Sequence, residues 1–203
     1  MNIDLSTLSG SGVYHLMTQT IIPRPIAWVL SENADASVNL APFSYFNAVC
    51  SDPPLCMLSM GRKPDESLKD TVTNLTVGAH CVVHIAHVDQ SDLVTATAAT
   101  LDYQHSEVEA NNIALTAHNN WPLQRVSDCP IAYLCRVHST TTIGNNDQNI
   151  VFVEALELYL DDKTTIQQKG RIQVNALAVN PLARLGASQY ANLGSVFKKT
   201  RPE

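Results

Sequence analysis

The chain has 203 residues, 45% of them hydrophobic and only 16% charged, with a formal net charge of −6. That length predicts a single domain over residues 1–203, and the acidic balance excludes a protein that grips the nucleic-acid backbone, which needs a basic face to displace counterions. So small a charged share predicts a surface covered by another subunit. No apolar run approaches the roughly 20 residues of a membrane span, and the opening MNIDLSTLSG lacks a signal peptide's charged and apolar regions, so a cytoplasmic protein with no membrane partner is expected.

Along the chain, the Gly10–Gly12 triplet is read as not leading into a helix. With no G-x-G-x-x-G fingerprint after a strand, a Rossmann dinucleotide site is excluded. From Ile26 to Met60 the runs IAWVLS, VNLAPF, FNAVCS and LCMLSM are separated by turn residues and predict consecutive antiparallel strands. Pro42, Pro53 and Pro54 lie at the run edges, where a missing N–H costs the ladder little. In ESLKDTVTNL, Leu68, Thr71, Val72 and Leu75 recur at helical spacing behind Ser67, predicting about three helical turns.

CVVHIAHV is β-branched and predicts a strand; SDLVTATAATL predicts a helix capped by Ser91. SEVEANN carries a Ser106/Glu109 capping box ahead of a polar stretch containing Trp121 and Pro122. The alternation from Ile131 to His138 and the run IVFVEALELYL, on either side of the turn-rich GNNDQN, predict a long hairpin. About eight strands with helices inserted and no βαβ rhythm make the fold class a mostly β barrel.

Chemistry is sparse. His80, His84 and His87 would align on a helix as metal ligands, but the β-branched run favours a strand, on which His84 and His87 face opposite ways. There is no G-x-S-x-G elbow, and Asp52 and Glu154 sit in a DPP turn and an alternating strand, where structural roles are expected. Five cysteines without a C-x-x-C pair indicate reduced, buried thiols and no metal. SMGRKPDESLKDT places Arg62, Lys63 and Lys69 around a helix start, with the hydroxyls of Ser67 and Thr71 nearby. On charge spacing, this is either a monophosphate seat or a solvated turn.

Taken in order, PRPIAW, N-x-APFSYFN, SDPP, the Lys69-Asp70-Thr71 step with Asn74 after it, and PLARLGASQY resemble the flavin reductase-like family of FMN-binding split barrels over most of the chain. The resemblance implies an antiparallel, Greek-key-like split β-barrel that forms a homodimer, binds FMN near the subunit interface and moves hydride between NADH or NADPH and flavin. It implies that Ser44, Tyr45, Phe46, Asn47 and Ala48 line the isoalloxazine, that Ser59, Lys69 and Thr71 hold the ribityl phosphate, and that Arg24 contributes beside them. His84, Val153 and Tyr159 stand where relatives often carry Asn, Gly and His, departures expected to fall on the nicotinamide side. Tyr190 is expected to anchor the chain end. No catalytic acid or base is needed where the cofactor carries the chemistry. A monooxygenase partner for the reduced flavin is one expectation; an electron carrier or flavin chaperone without nucleotide turnover is the rival reading, and a pyridoxal-phosphate or haem activity on a similar barrel a further one.

Overall fold

The computed structural model describes residues 1–102, 104–168, 170–200 and 202. Seven strands form one antiparallel sheet: β1 (Ala27–Glu32), β2 (Val38–Phe43), β3 (Phe46–Ser51), β4 (Pro54–Met60), β5 (His80–Ile85), β6 (Ile131–Ile143) and β7 (Gln148–Leu160). Their spatial order is β2-β1-β5-β6-β7-β4-β3. The two end strands are consecutive in the chain, joined by Ser44 and Tyr45, and the Ser59 N–H donates to the Tyr45 carbonyl at 2.9 Å. That corner closes the sheet into a split barrel, and β4 lying beside β7 at the end of the β5-β6-β7 run is the expected Greek-key return.

Strand alternation divides the core. Ala27, Val29, Leu58, Val83, Val137, Val151 and Val153 fill the barrel interior, while Trp28, Leu30, Val82 and Leu134 face outward under Val94, Val108 and Val126 from the inserted segments. β1 is buried from Ala27 to Ser31 because both its faces are covered. In β7 the register slips at Leu156, since Ala155 opposes Cys135 and Glu157 opposes Leu134. A one-residue slip reverses the faces, so Val151, Val153 and Ala155 pack inward whereas Tyr159 packs on the outer cluster.

The helices depart most from expectation. Gly10–Gly12 does open a helix, α1 (Gly10–Thr20), in which the Gly12 N–H donates to the Ser9 hydroxyl. No strand precedes it, so the Rossmann exclusion is unaffected. The second helix is only α2 (Asp70–Asn74), because Lys69 is extended and the Ser67 hydroxyl is spent on Asp65 at 2.6 Å. α3 (Ser91–Ala96) is entered through a 3₁₀ turn capped by His87, not by Ser91. α4 (Glu107–Ala110) lacks the capping box: the Ser106 hydroxyl donates to the Val38 carbonyl, and Glu107 accepts the Leu40 N–H at 3.0 Å. These two side chains satisfy the outer edge of β2. Cys81, Cys129 and Cys135 are buried as expected, but Cys56 is only partly covered and Cys50 is exposed.

Candidate functional site

The corner between β2 and β3, the end of β4, the start of α2 and one face of α1 surround an open cleft of about 640 Å³. Ser44 and Tyr45 come from the corner, Ser59 from β4, Lys69 from the α2 N-cap, Tyr14 from α1 and Gln148 from the first position of β7. The Gln148 side-chain amide donates to the Ser59 hydroxyl at 3.0 Å, which fixes the wall where β4 and β7 meet.

Two polar groups on this cleft are left with unused capacity. The Tyr45 hydroxyl is buried and has no hydrogen-bond partner. Burial, and then neighbouring Tyr14, whose ring lies 6.1 Å away, push its pKa up and keep it a neutral phenol. The Lys69 ammonium lies 5.5 Å from the Phe43 ring centroid and faces no carboxylate among the described residues. Burial first, and Lys63 second, lower its pKa. Lys63 itself is neutralised by Asp70 at 2.6 Å, and the Arg62 guanidinium donates to the Glu66 carbonyl. Arg62 lines the cleft too, with Asp147 4.0 Å from it, so among the described residues Lys69 is the one of the three basic residues that has neither a carboxylate nor a carbonyl partner.

The structure separates the other expected site residues. The Thr71 hydroxyl accepts from the Asn39 amide at 2.9 Å inside a buried network, and Thr71 lines a smaller polar pocket of about 90 Å³ that shares Lys69, Pro42 and Phe43 with the cleft. Ser67 is exposed and points its hydroxyl at Asp65. A five-residue α2 with Asp70 at its first position offers no cationic helix end, so the expected anion seat reduces to Lys69 and the hydroxyls near it. Phe46 packs against the barrel core, and Asn47 and Ala48 are exposed on the outermost strand. Arg24 is buried and donates to the carbonyls of Thr18, Ile21 and Leu185 and, at 3.4 Å, to the Ser44 hydroxyl. It ties α1 and the C-terminal segment to the corner behind Ser44.

The histidines do not form a metal site or an acid-base pair. His84 is fully buried, its Nε2 accepts the Val126 N–H at 3.0 Å, and its Nδ1–H then donates to the Trp28 carbonyl at 2.9 Å. Its pKa is pushed down to about 4 by burial. His138 sits exposed at a bulge in β6, where Ser139 and Val137 oppose consecutive β7 residues. Val153 is interior, and Tyr159 stacks under the Arg125 guanidinium at 3.5 Å, so neither departure touches the cleft. Asp52 precedes a turn proline and Glu154 pairs with Arg136 at 3.0 Å. Among the described residues no cluster suits a metal ion. Tyr14 and Gln148 were missed by sequence reading, since nothing local marks a tyrosine among glycines or a glutamine in a polar turn as facing a cleft.

A cleft of this size, with aromatic walls, a free cation and an unpartnered hydroxyl, suits a flat, polar-edged ligand carrying one anionic tail. The profile of the flavin reductase like domain matches residues 17–176. The uncharacterized protein YwrF of Bacillus subtilis is 32% identical, with 96% of each chain covered. Among solved structures, nitrilotriacetate monooxygenase component B from Bacillus cereus is 28% identical with a TM-score of 0.88, covering 98% of both chains. The 2-nitrobenzoate 2-nitroreductase of Pseudomonas fluorescens is also 28% identical, with a TM-score of 0.87, covering 100% of this chain and 96% of that one.

Proposed function

The chain belongs to the flavin reductase-like family, and from that membership we propose that it is an FMN-dependent oxidoreductase passing hydride from NADH or NADPH to flavin. The observation that carries the reading is the pair of unsatisfied groups on one cleft, the buried Tyr45 hydroxyl and the acid-free Lys69 ammonium. FMN answers both, because its ring edge offers hydrogen-bonding atoms and its tail offers one phosphate. In this reading the isoalloxazine lies against Ser44 and Tyr45 and the phosphate meets Lys69 with Ser59 across the cleft, while Phe46, Asn47, Ala48 and Thr71 shape the walls from behind. Arg24 holds the corner in place.

Bound FMN supplies the two-electron chemistry. The chain's own work is to hold the two rings against each other and keep water out, and positioning of that kind is worth several kcal/mol of barrier. No side-chain acid or base is required in this reading; His84 is buried with both ring nitrogens bonded to backbone, and His138 is exposed on β6. The name of the nitrilotriacetate monooxygenase component makes a monooxygenase the proposed recipient of reduced flavin.

The reading includes a homodimer in the cytoplasm. The single chain exposes 12,362 Å², against about 9,000 Å² for a compact monomer of its mass. The outermost strand β3 leaves Asn47 to Ser51 exposed, an unpaired edge of the kind proteins cover. Sedimentation at micromolar concentration with FMN present should give a dimer; a monomer would remove the shared-interface part of the reading. For the activity, anaerobic stopped-flow mixing of the FMN-loaded protein with NADH or NADPH should bleach the flavin's visible band rapidly. FMN that stays bound and oxidised with both nucleotides would make the protein a carrier or chaperone.

A further inference from the structure

Next to the cleft lies a second pocket of about 150 Å³, which shares Pro42, Phe43 and Ser44 with it. Ile26 and Val94, both buried, supply apolar walls, and Arg184 and Tyr190 close the remaining side. We propose that this pocket binds a small aromatic carboxylate, with its ring between the apolar walls and its carboxylate on Arg184.

Arg184 and Tyr190 come from the short sheet in which Arg24–Pro25 pairs with Ala183–Arg184 and that segment pairs with Tyr190–Ala191. The guanidinium sits 4.5 Å from the Tyr190 ring centroid, and the Tyr190 hydroxyl is held 3.0 Å from the Thr95 hydroxyl, so the ring is a fixed shelf under the cation. Arg184 donates only to the carbonyls of Ala187 and Gln189 and meets no carboxylate among the described residues. A cation left without a counter-ion beside apolar walls selects an anion that is itself mostly apolar. The space decides the size, since a cavity of about 150 Å³ accommodates a single benzene ring. A carboxylate matches the guanidinium fork with two parallel hydrogen bonds. A dinucleotide is too large for the pocket and brings several charges to one cation.

Because the pocket and the cleft share three wall residues, the bound acid lies beside whatever fills the cleft. The inference therefore rests on the flavin reading and names a ligand class for the flavin's surroundings. The test is calorimetric titration of benzoate, and separately of its neutral isostere benzamide, into FMN-loaded protein. Benzoate should bind at least tenfold more tightly than benzamide. Arg184→Gln should bring the two within twofold, and Arg184→Lys, which keeps the charge but loses the fork, should lower the preference about threefold. Equal binding of the two probes in the unaltered protein would overturn the proposal, as would a preference that survives Arg184→Gln. Should that variant fail to fold, an undiminished preference in Arg184→Lys is the contrary result. Failure of FMN itself to bind sinks the flavin reading; FMN binding without discrimination between the probes sinks only this inference.

Discussion

His84 and Tyr45 are both polar rings tucked against the barrel, and their hydrogen bonds are in opposite states. Each nitrogen of His84 has a backbone partner, and the residue is sealed between β1 and the segment at Val126. The Tyr45 hydroxyl, covered although its residue is only half-buried, has none. A buried polar group satisfied from within stabilises the fold, whereas one left unsatisfied costs about 1–3 kcal/mol until a ligand arrives. The same contrast separates Lys63, neutralised by Asp70, from Lys69, which keeps its charge for something else. Site and scaffold are told apart here by what remains unpaired, more than by residue type.

The largest expected effect concerns the satisfied member. Burial holds His84 at about pKa 4, against about 6.5 in the unfolded chain. Between those values the unfolded chain takes up a proton that the folded protein refuses. The contribution of His84 is thus complete above about pH 6.5 and is lost as pH falls to about 4, in all about 3 kcal/mol. Urea denaturation near neutral pH and near pH 4.5 should show the unaltered protein losing most of that increment relative to His84→Gln. Glu107, whose carboxyl burial pushes up, titrates with the opposite sign in both proteins and cancels in the difference. Parallel pH dependences would contradict the account.

Tyr45→Phe should act the other way. Removing an unpartnered hydroxyl should raise the stability of the flavin-free protein by about 1 kcal/mol, and flavin affinity should fall by about 0.5–1.5 kcal/mol. A loss of stability would show that the hydroxyl has a partner after all. The smallest effect is expected for acid-base chemistry. His138→Asn and His84→Asn should each slow flavin reduction by less than tenfold, under about 1.4 kcal/mol of barrier, with a shallow pH profile. A steep profile that vanishes with either histidine would give the protein a proton-transfer role.

The strands of the main sheet were legible between Ala27 and Met60 to within a residue, because the β-rich runs there are cut by turn residues, whereas short pairs such as Thr165–Gln168 with Arg171–Val174 were not. The helices were not. Two glycines hide α1, and the side chains of Ser67 and Ser106, which read as caps, bond elsewhere. Nor does any local pattern announce the extra residue at Leu156 that sends Tyr159 to the outer face. Of the residues the resemblance names, Ser44, Tyr45, Ser59 and Lys69 line one cleft, whereas Arg24, Phe46, Asn47, Ala48 and Thr71 do not. The partition of charge between Lys63, Asp70 and Lys69 depends on how the turn folds back, which spacing does not encode. Gly186, placed in a late motif, shows its reason only in three dimensions: a Cβ there would lie 2.2 Å from Cγ of Gln19 on α1.

The central claim is that the cleft is a mononucleotide site whose phosphate is held by Lys69. Calorimetric titration of FMN and riboflavin into the unaltered protein and into Lys69→Ala tests it most directly, because the two ligands differ by the phosphate alone. FMN should bind the unaltered protein more tightly than riboflavin, and Lys69→Ala should remove about 1.5–3 kcal/mol of that advantage while leaving riboflavin nearly unchanged. Equal affinity for the two ligands, or an FMN advantage untouched by the substitution, would place Lys69 on a solvated turn and contradict the account.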